Sequence, residues 1–300
     1  MPRPLVSALL LPLLGACAAP AVSGEALRQV PKEDYQPEAP RPGPNIGQLL
    51  VECDTKLTAW QMAMGAERTL ENLSDIGFAE RAIATLVRQH EDQLKQIAVS
   101  GEPRSRAIAT AALAFSPDPS VLELILSNVG HEDPMLAANA MLAVGIHASP
   151  TTPMAPIHEA VIASDVPDQV MRNAAYACLR LARAQKDSPD PYLAATMITM
   201  LQHDLISVRS QATAGLGVIR AAHAVGFLAK RLEEDKEARV RTFAAWSLGE
   251  IGDRGSTRVL ARALLDADGY VSGAARAALK KIYGEDRGAN PEDWLPDLEP

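Results

Sequence analysis

The feature that most constrains this chain is a pattern that recurs along it. Val208-Arg209-Ser210-Gln211-Ala212 runs on to Leu216-Gly217 and Ile219, and 32 residues later Val240-Arg241-Thr242-Phe243-Ala244 runs on to Leu248-Gly249 and Ile251. Taking the first residue of each segment as its lead position gives six: Ser105, Leu136, Met171, Val208, Val240 and Val271, at intervals of 31, 35, 37, 32 and 31 residues. Four residues after each lead stands Ala109, Ala140, Ala175, Ala212, Ala244 or Ala275. Eight after it stands Leu113, Val144, Leu179, Leu216, Leu248 or Leu279. A period of this length specifies stacked supersecondary units, each unable to bury its apolar face alone. Within a unit, offsets 0, 4, 7, 8 and 11 fall in one stripe of roughly 100° on a helix.

A second helix belongs to each unit. Apolar helical patterns cover Val121–Val129, Ile157–Ala163, Leu193–Leu201, Val225–Leu232 and Val259–Leu265, and Pro or Gly marks the joins. Composition agrees. Alanine occurs 51 times and aromatic residues make up only 4% of the chain, which suits closely packed helices better than a β-sandwich or barrel. The expected fold is all-α: a right-handed α-solenoid of stacked helical hairpins.

The Val-Arg, Ala and Leu-Gly positions resemble HEAT repeats, including the short HEAT-like units of phycobilisome lyases. The resemblance spans residues 101–284 and implies an armadillo-like superhelix. Before it, residues 46–100 read as an N-terminal helical cap or degenerate repeats. After it, residues 285–300 form a tail in which Trp294 and Leu295 are expected to fold back onto the last repeat.

The N-terminus carries an address. Arg3 precedes an apolar run from Leu5 to Leu14 that is too short to span a bilayer and suits a signal peptide. It ends in Leu14-Gly15-Ala16-Cys17, which resembles the lipobox of bacterial lipoproteins. The resemblance implies a signal peptide over 1–16, lipidation of Cys17 and a membrane held through that lipid; the other reading is a plain secretion signal with a chance cysteine. Ala18 follows the cysteine, so in a Gram-negative cell the family's sorting rule points to the outer membrane. Residues 17–45 contain six prolines and no apolar period, a tether of polyproline character.

Several chemistries find no footing. A net charge of −8 argues against nucleic acid as a partner. None of the six histidines pairs at i, i+4, and no two cysteines have zinc spacing. The pairs His90-Glu91, His131-Glu132 and His158-Glu159 echo HEAT-repeat di-iron hydroxylases, but they fall in turns or first helices, outside that family's register. Neither a nucleophile elbow nor a phosphate loop is present. We therefore expect no enzyme activity and no cofactor, with a bilin-lyase-type enzyme and a structural cell-wall linker as the alternatives. Cys53 and Cys178 read as two buried thiols, with a disulfide as the other possibility.

Two sets of residues remain. Arg106, Arg172, Arg209 and Arg241 directly follow their lead positions, and Asp168, Asp204 and Asp235 stand shortly upstream of three of them. This is expected to be a structural ladder in which each Arg pairs with the acid of its own preceding turn; a basic track for an anion is the alternative. Opposite the core stripe, offsets 5 and 6 carry mostly small residues with Met141, Leu142, Tyr176 and Trp246 as bulky exceptions. These four are the expected contacts for a protein or peptide partner in a concave groove, unless Tyr176 and Trp246 pack between repeats instead.

Overall fold

The computed structural model describes residues 45–66 and 69–295. The expected signal peptide, Cys17 and the tether up to residue 44 lie outside the described residues. What is described contains thirteen α-helices and no strand: α1 (Ile46–Gly65), α2 (Leu70–Ser100), α3 (Pro103–Leu113), α4 (Val121–Leu126), α5 (Pro134–His147), α6 (Ala155–Ile162), α7 (Asp168–Ala184), α8 (Pro191–Met200), α9 (Ile206–Val218), α10 (Val225–Glu234), α11 (Ala238–Ile251), α12 (Thr257–Ala263) and α13 (Gly269–Tyr283). Helix α2 is kinked at His90, and its second half serves as the first helix of the first repeat. The second helices of the six repeats are α3, α5, α7, α9, α11 and α13.

Local chemistry sets the boundaries. Asn45 and Gln48 form a reciprocal capping box at the start of α1. The Asp133, Asp190 and Asp268 carboxylates accept hydrogen bonds from first-turn amides of α5, α8 and α13. Pro103, Pro134 and Pro191 sit in first turns, where the missing N–H costs nothing. Gly252 and Gly284 close α11 and α13 in the left-handed conformation, at φ 78° and 79°.

One continuous apolar core runs from Leu49 to Trp294. The six alanines four residues after the lead positions are all fully buried. Neighbouring second helices pack against each other along most of their length, more closely than the first helices do. Small residues permit this. A Cβ on Gly249 would come within 2.7 Å of Ala278 Cα, one on Gly217 within 2.8 Å of Ser247 Cα, and one on Gly145 within 3.1 Å of Ala177 Cα. Side-chain hydrogen bonds to backbone lace the same seam: Asn139 donates to the Ala107 carbonyl, Asn173 to that of Ala138, and Ser247 to that of Thr213.

These contacts correct one register. The other five second helices begin two residues before their lead positions; α7 begins at Asp168, so its lead is Val170, not Met171. With that lead, Ala174 and Cys178 take the buried +4 and +8 places, Leu179 is only half-buried, and Asn173 matches Asn139. Trp294 folds onto the last repeat. It is fully buried, lies 5.8 Å from the Tyr283 ring and donates its indole N–H to the Gly288 carbonyl. Leu295 beside it remains partly exposed.

Candidate functional site

The arginine ladder exists, but it reaches forward. Arg209 Nε and Nη2 donate to the two Asp235 carboxylate oxygens at 2.8 and 3.0 Å, and Nη1 donates to the carbonyls of His203 and Asp204 at 2.9 and 2.8 Å. Arg241 repeats the arrangement, on Asp266 at 2.8 and 3.0 Å and on the Asp235 and Lys236 carbonyls at 3.0 and 3.2 Å. The expected pairs of Arg209 with Asp204, Arg241 with Asp235 and Arg172 with Asp168 are therefore not formed. The physical reason is geometric. The turn before each second helix offers two carbonyls to one end of the guanidinium. A carboxylate already fixed by the amide two residues on, Glu237 for Asp235 and Asp268 for Asp266, then receives the fork from the next repeat.

In general terms, the residue after one lead meets the residue five before the next lead. At the first junction Arg106 stands 3.5 Å from His131 and donates to Asn128 Oδ1 at 2.6 Å. Arg172, two places after the true lead Val170, is exposed and takes no part in the ladder.

The Asp235 carboxylate is only 2% exposed. Burial works to raise its pKa, but hydrogen bonds from Arg209 and the Glu237 amide, with the charges of Arg209 and Arg231, outweigh burial and hold the pKa below the usual carboxylate range. The Arg241 fork likewise holds Asp266 low, against a smaller opposing effect of burial.

The expected partner face is only partly a surface. Helix α5 is buried from Leu136 to Gly145 except at Asn139, so Met141 and Leu142 lie inside the protein and present nothing to a partner. Their offsets face the seam between neighbouring second helices, which the periodicity of a single helix does not reveal. Tyr176 is half-buried, with its ring over Gly145. Trp246 is 38% exposed, on a helix two repeats away from that of Tyr176. The structure thus does not bring the four together. What accompanies Trp246 is a stripe at i, i+4 and i+7 on α11: exposed Arg239, half-buried Phe243 with the Arg239 guanidinium 5.9 Å from its ring, and Trp246 itself. Arg239 was not singled out by the sequence pattern, although its spacing from Phe243 and Trp246 contained the signal.

Among the described residues, no three His, Cys, Asp or Glu side chains gather to hold a metal, and no helix is long and apolar enough to cross a membrane. His158 Nδ1 lies 3.0 Å from the Thr196 hydroxyl, and His131 Nδ1 accepts from the Asp133 amide. Cys53 and Cys178 are unbridged and buried. Burial, assisted by Glu52, pushes the Cys53 thiol up to about 11, and burial alone pushes that of Cys178 up to about 12. Both should stay unreactive toward an aromatic disulfide reagent at pH 8 and be modified only once denaturant unfolds the chain; fast modification of either in the folded protein would contradict this placement.

Comparison with known proteins follows the same line. The family model described as HEAT repeats matches residues 194–280. No curated protein matches the chain. Among solved structures, Kap121p is similar at 16% identity and a TM-score of 0.55, covering 79% of this chain and 28% of Kap121p. Kap121p bound to Pho4p is similar at 16% identity and 0.56, covering 84% and 30%, and Kap121p bound to Ste12p at 16% and 0.56, covering 84% and 29%. This chain spans less than a third of the length of Kap121p, and the likeness is one of fold. The stack of helical pairs and the likeness to Kap121p identify an α-solenoid, and its residues 194–280 match the HEAT-repeat model.

Proposed function

We propose that this protein is a non-catalytic scaffold, lipid-anchored at Cys17 in a bacterial cell envelope, that binds a protein or peptide partner on the second-helix face of its solenoid. The observation that carries the binding part is the Arg239, Phe243 and Trp246 stripe. Trp and Arg are the residues most enriched among interface hot spots. Here a tryptophan stands partly in solvent on a helix whose neighbours are otherwise sealed by small residues. HEAT-type solenoids offer such surfaces widely, and Kap121p has been solved with Pho4p and with Ste12p bound.

The lipobox-like Leu14-Gly15-Ala16-Cys17 supports the anchor, and Ala18 supports the outer membrane as destination in a Gram-negative cell. Anchoring through Cys17 would hold the binding face at high local concentration near the membrane.

Two variants test the two parts. Cys17→Ser should move the full chain from the membrane fraction to the soluble one; continued membrane association removes the lipid anchor from the account. Trp246→Ala should weaken capture of a specific partner about 10–30-fold, the cost of a hot-spot truncation, with an unchanged unfolding midpoint. Equal capture by both chains would take the interface away from this stripe.

A further inference from the structure

The ladder is one arginine short at the junction between the second and third repeats. The residue after the lead Leu136 is Ala137, where the fourth and fifth repeats carry Arg209 and Arg241. Five residues before the lead Val170 stands Asp165, which matches Asp235 and Asp266 in sequence position, although Pro167 two residues on has no N–H to fix its carboxylate as the Glu237 and Asp268 amides fix theirs. The carboxylate of the rung is therefore present and its cation is not. Among the described residues no hydrogen bond or ion pair engages Asp165, which is exposed and holds a left-handed backbone at φ 54°. The carbonyls matching those that hold Arg209 and Arg241 belong here to His131 and Glu132. At the next junction the corresponding pair is Met171 and His203, so no second carboxylate is left without its arginine.

This junction opens into a cleft of about 650 Å³. Part of its wall is apolar, with Val129, Ala137, Pro156, Ala160, Val166 and Val170. Its charged lining is acidic: Glu132, Glu159 and Asp165, with no lysine or arginine. Neither glutamate takes part in an ion pair among the described residues. An apolar trough ending in a carboxylate and backbone carbonyls suits a side chain with an apolar stem and a planar cationic head.

We propose that this cleft receives an arginine side chain presented by an extended segment of a partner protein. The stem lies along the Val129, Ala160 and Val166 wall, and the guanidinium completes the rung in trans, on Asp165 and the turn at His131 and Glu132. The rungs of the fourth and fifth repeats supply the pattern: one guanidinium, two carboxylate oxygens and two carbonyls, all within 3.2 Å. The proposal rests on the scaffold reading and gives its partner a chemistry.

The test uses the full chain and a fluorescent, end-blocked pentapeptide with one arginine between two leucines, read by anisotropy at low salt. The peptide should bind, and its citrulline counterpart at least tenfold more weakly. Asp165→Asn should cost at least tenfold; its position is exposed, so folding is not at stake. Ala137→Arg, which supplies the arginine in cis from a buried position at the cleft wall, should abolish binding in a chain that circular dichroism shows to be folded. Absence of binding, or equal binding by the citrulline peptide or by the Asp165→Asn chain, overturns the proposal. An Ala137→Arg chain that folds and still binds the peptide overturns it too. If the peptide result is negative while a partner is still captured in a Trp246-dependent way, this site falls and the scaffold reading stands.

Discussion

Replacing Arg209 with methionine is expected to destabilise the solenoid by about 3 kcal/mol, because it takes both arms of the fork from a buried carboxylate and leaves it only Arg231 at 3.5 Å and the Glu237 amide. Asp235 is 2% exposed and receives both arms of the Arg209 fork. The double variant Arg209→Met with Asp235→Leu should recover most of that loss, since an apolar pair of similar size is often neutral where a lone buried charge is not. Acid should separate the two chains further. In the native protein the Asp235 pKa is held down, so its contribution to stability is full above the ordinary carboxylate value of about 4 and is lost as pH falls through the lowered folded value. Without Arg209 only the Glu237 amide and the Arg231 charge oppose burial, so the depression of the folded pKa shrinks and the variant should lose less stability than the native chain as pH falls from about 7 through the carboxylate range. Urea unfolding at three pH values measures both effects. A cost under about 1 kcal/mol at pH 7 would reduce the rung to an ordinary surface pair.

The second large effect lies in the seam between second helices. Gly249→Ala puts a methyl group 2.7 Å from both Cα and Cβ of Ala278, and backbone cannot swing aside as the end of a side chain can. Overpacking of this kind costs about 1–3 kcal/mol, while the gain in helix propensity offsets about 1 kcal/mol. The net is a loss of up to about 2 kcal/mol. Gly273→Ala makes the opposite case. Gly273 lies inside α13 with nothing within 4 Å of the added Cβ, so propensity alone acts and the chain should gain up to about 1 kcal/mol. Opposite signs in thermal unfolding would establish that close approach, and not a general tolerance of glycine, places Gly249. Equal signs would contradict it.

The solenoid was legible in the sequence because its determinants are local and repeated. An alanine four places after each lead, and eight places after it an aliphatic residue or, in the third repeat, Cys178, mark the buried stripe of each second helix. The third repeat misled for a definite reason. Met171-Arg172 imitates the Val-Arg pair of the fourth and fifth repeats, but helix α7 starts at Asp168, which puts Val170 in the lead. That single-residue slip hid the match in position between Asp165 and the rung carboxylates Asp235 and Asp266. Met141 and Leu142 were misplaced for another reason. A helical period shows which residues share a face, not how many faces are covered, and each internal second helix here is covered by its own first helix and by two neighbouring second helices. The forward direction of the arginine rungs was equally invisible, since it depends on the rise from one repeat to the next and not on spacing within a turn. Trp294 was readable as a cap because prolines around it leave little room for a further helix.

The central claim is that the junction between the second and third repeats holds the carboxylate position of the rungs at Arg209 and Arg241 and lacks their cation, with Ala137 facing Asp165. A double-mutant cycle on stability tests it without any ligand: the native chain, Ala137→Arg, Asp165→Asn and the two combined, each unfolded in urea at pH 7. The account predicts that the chain that keeps Asp165 tolerates Ala137→Arg better than the chain that carries Asp165→Asn, with a coupling of about 0.5–1 kcal/mol between the two sites. A coupling near zero, with the two substitutions simply additive, would mean that position 137 does not face Asp165 as Arg209 faces Asp235.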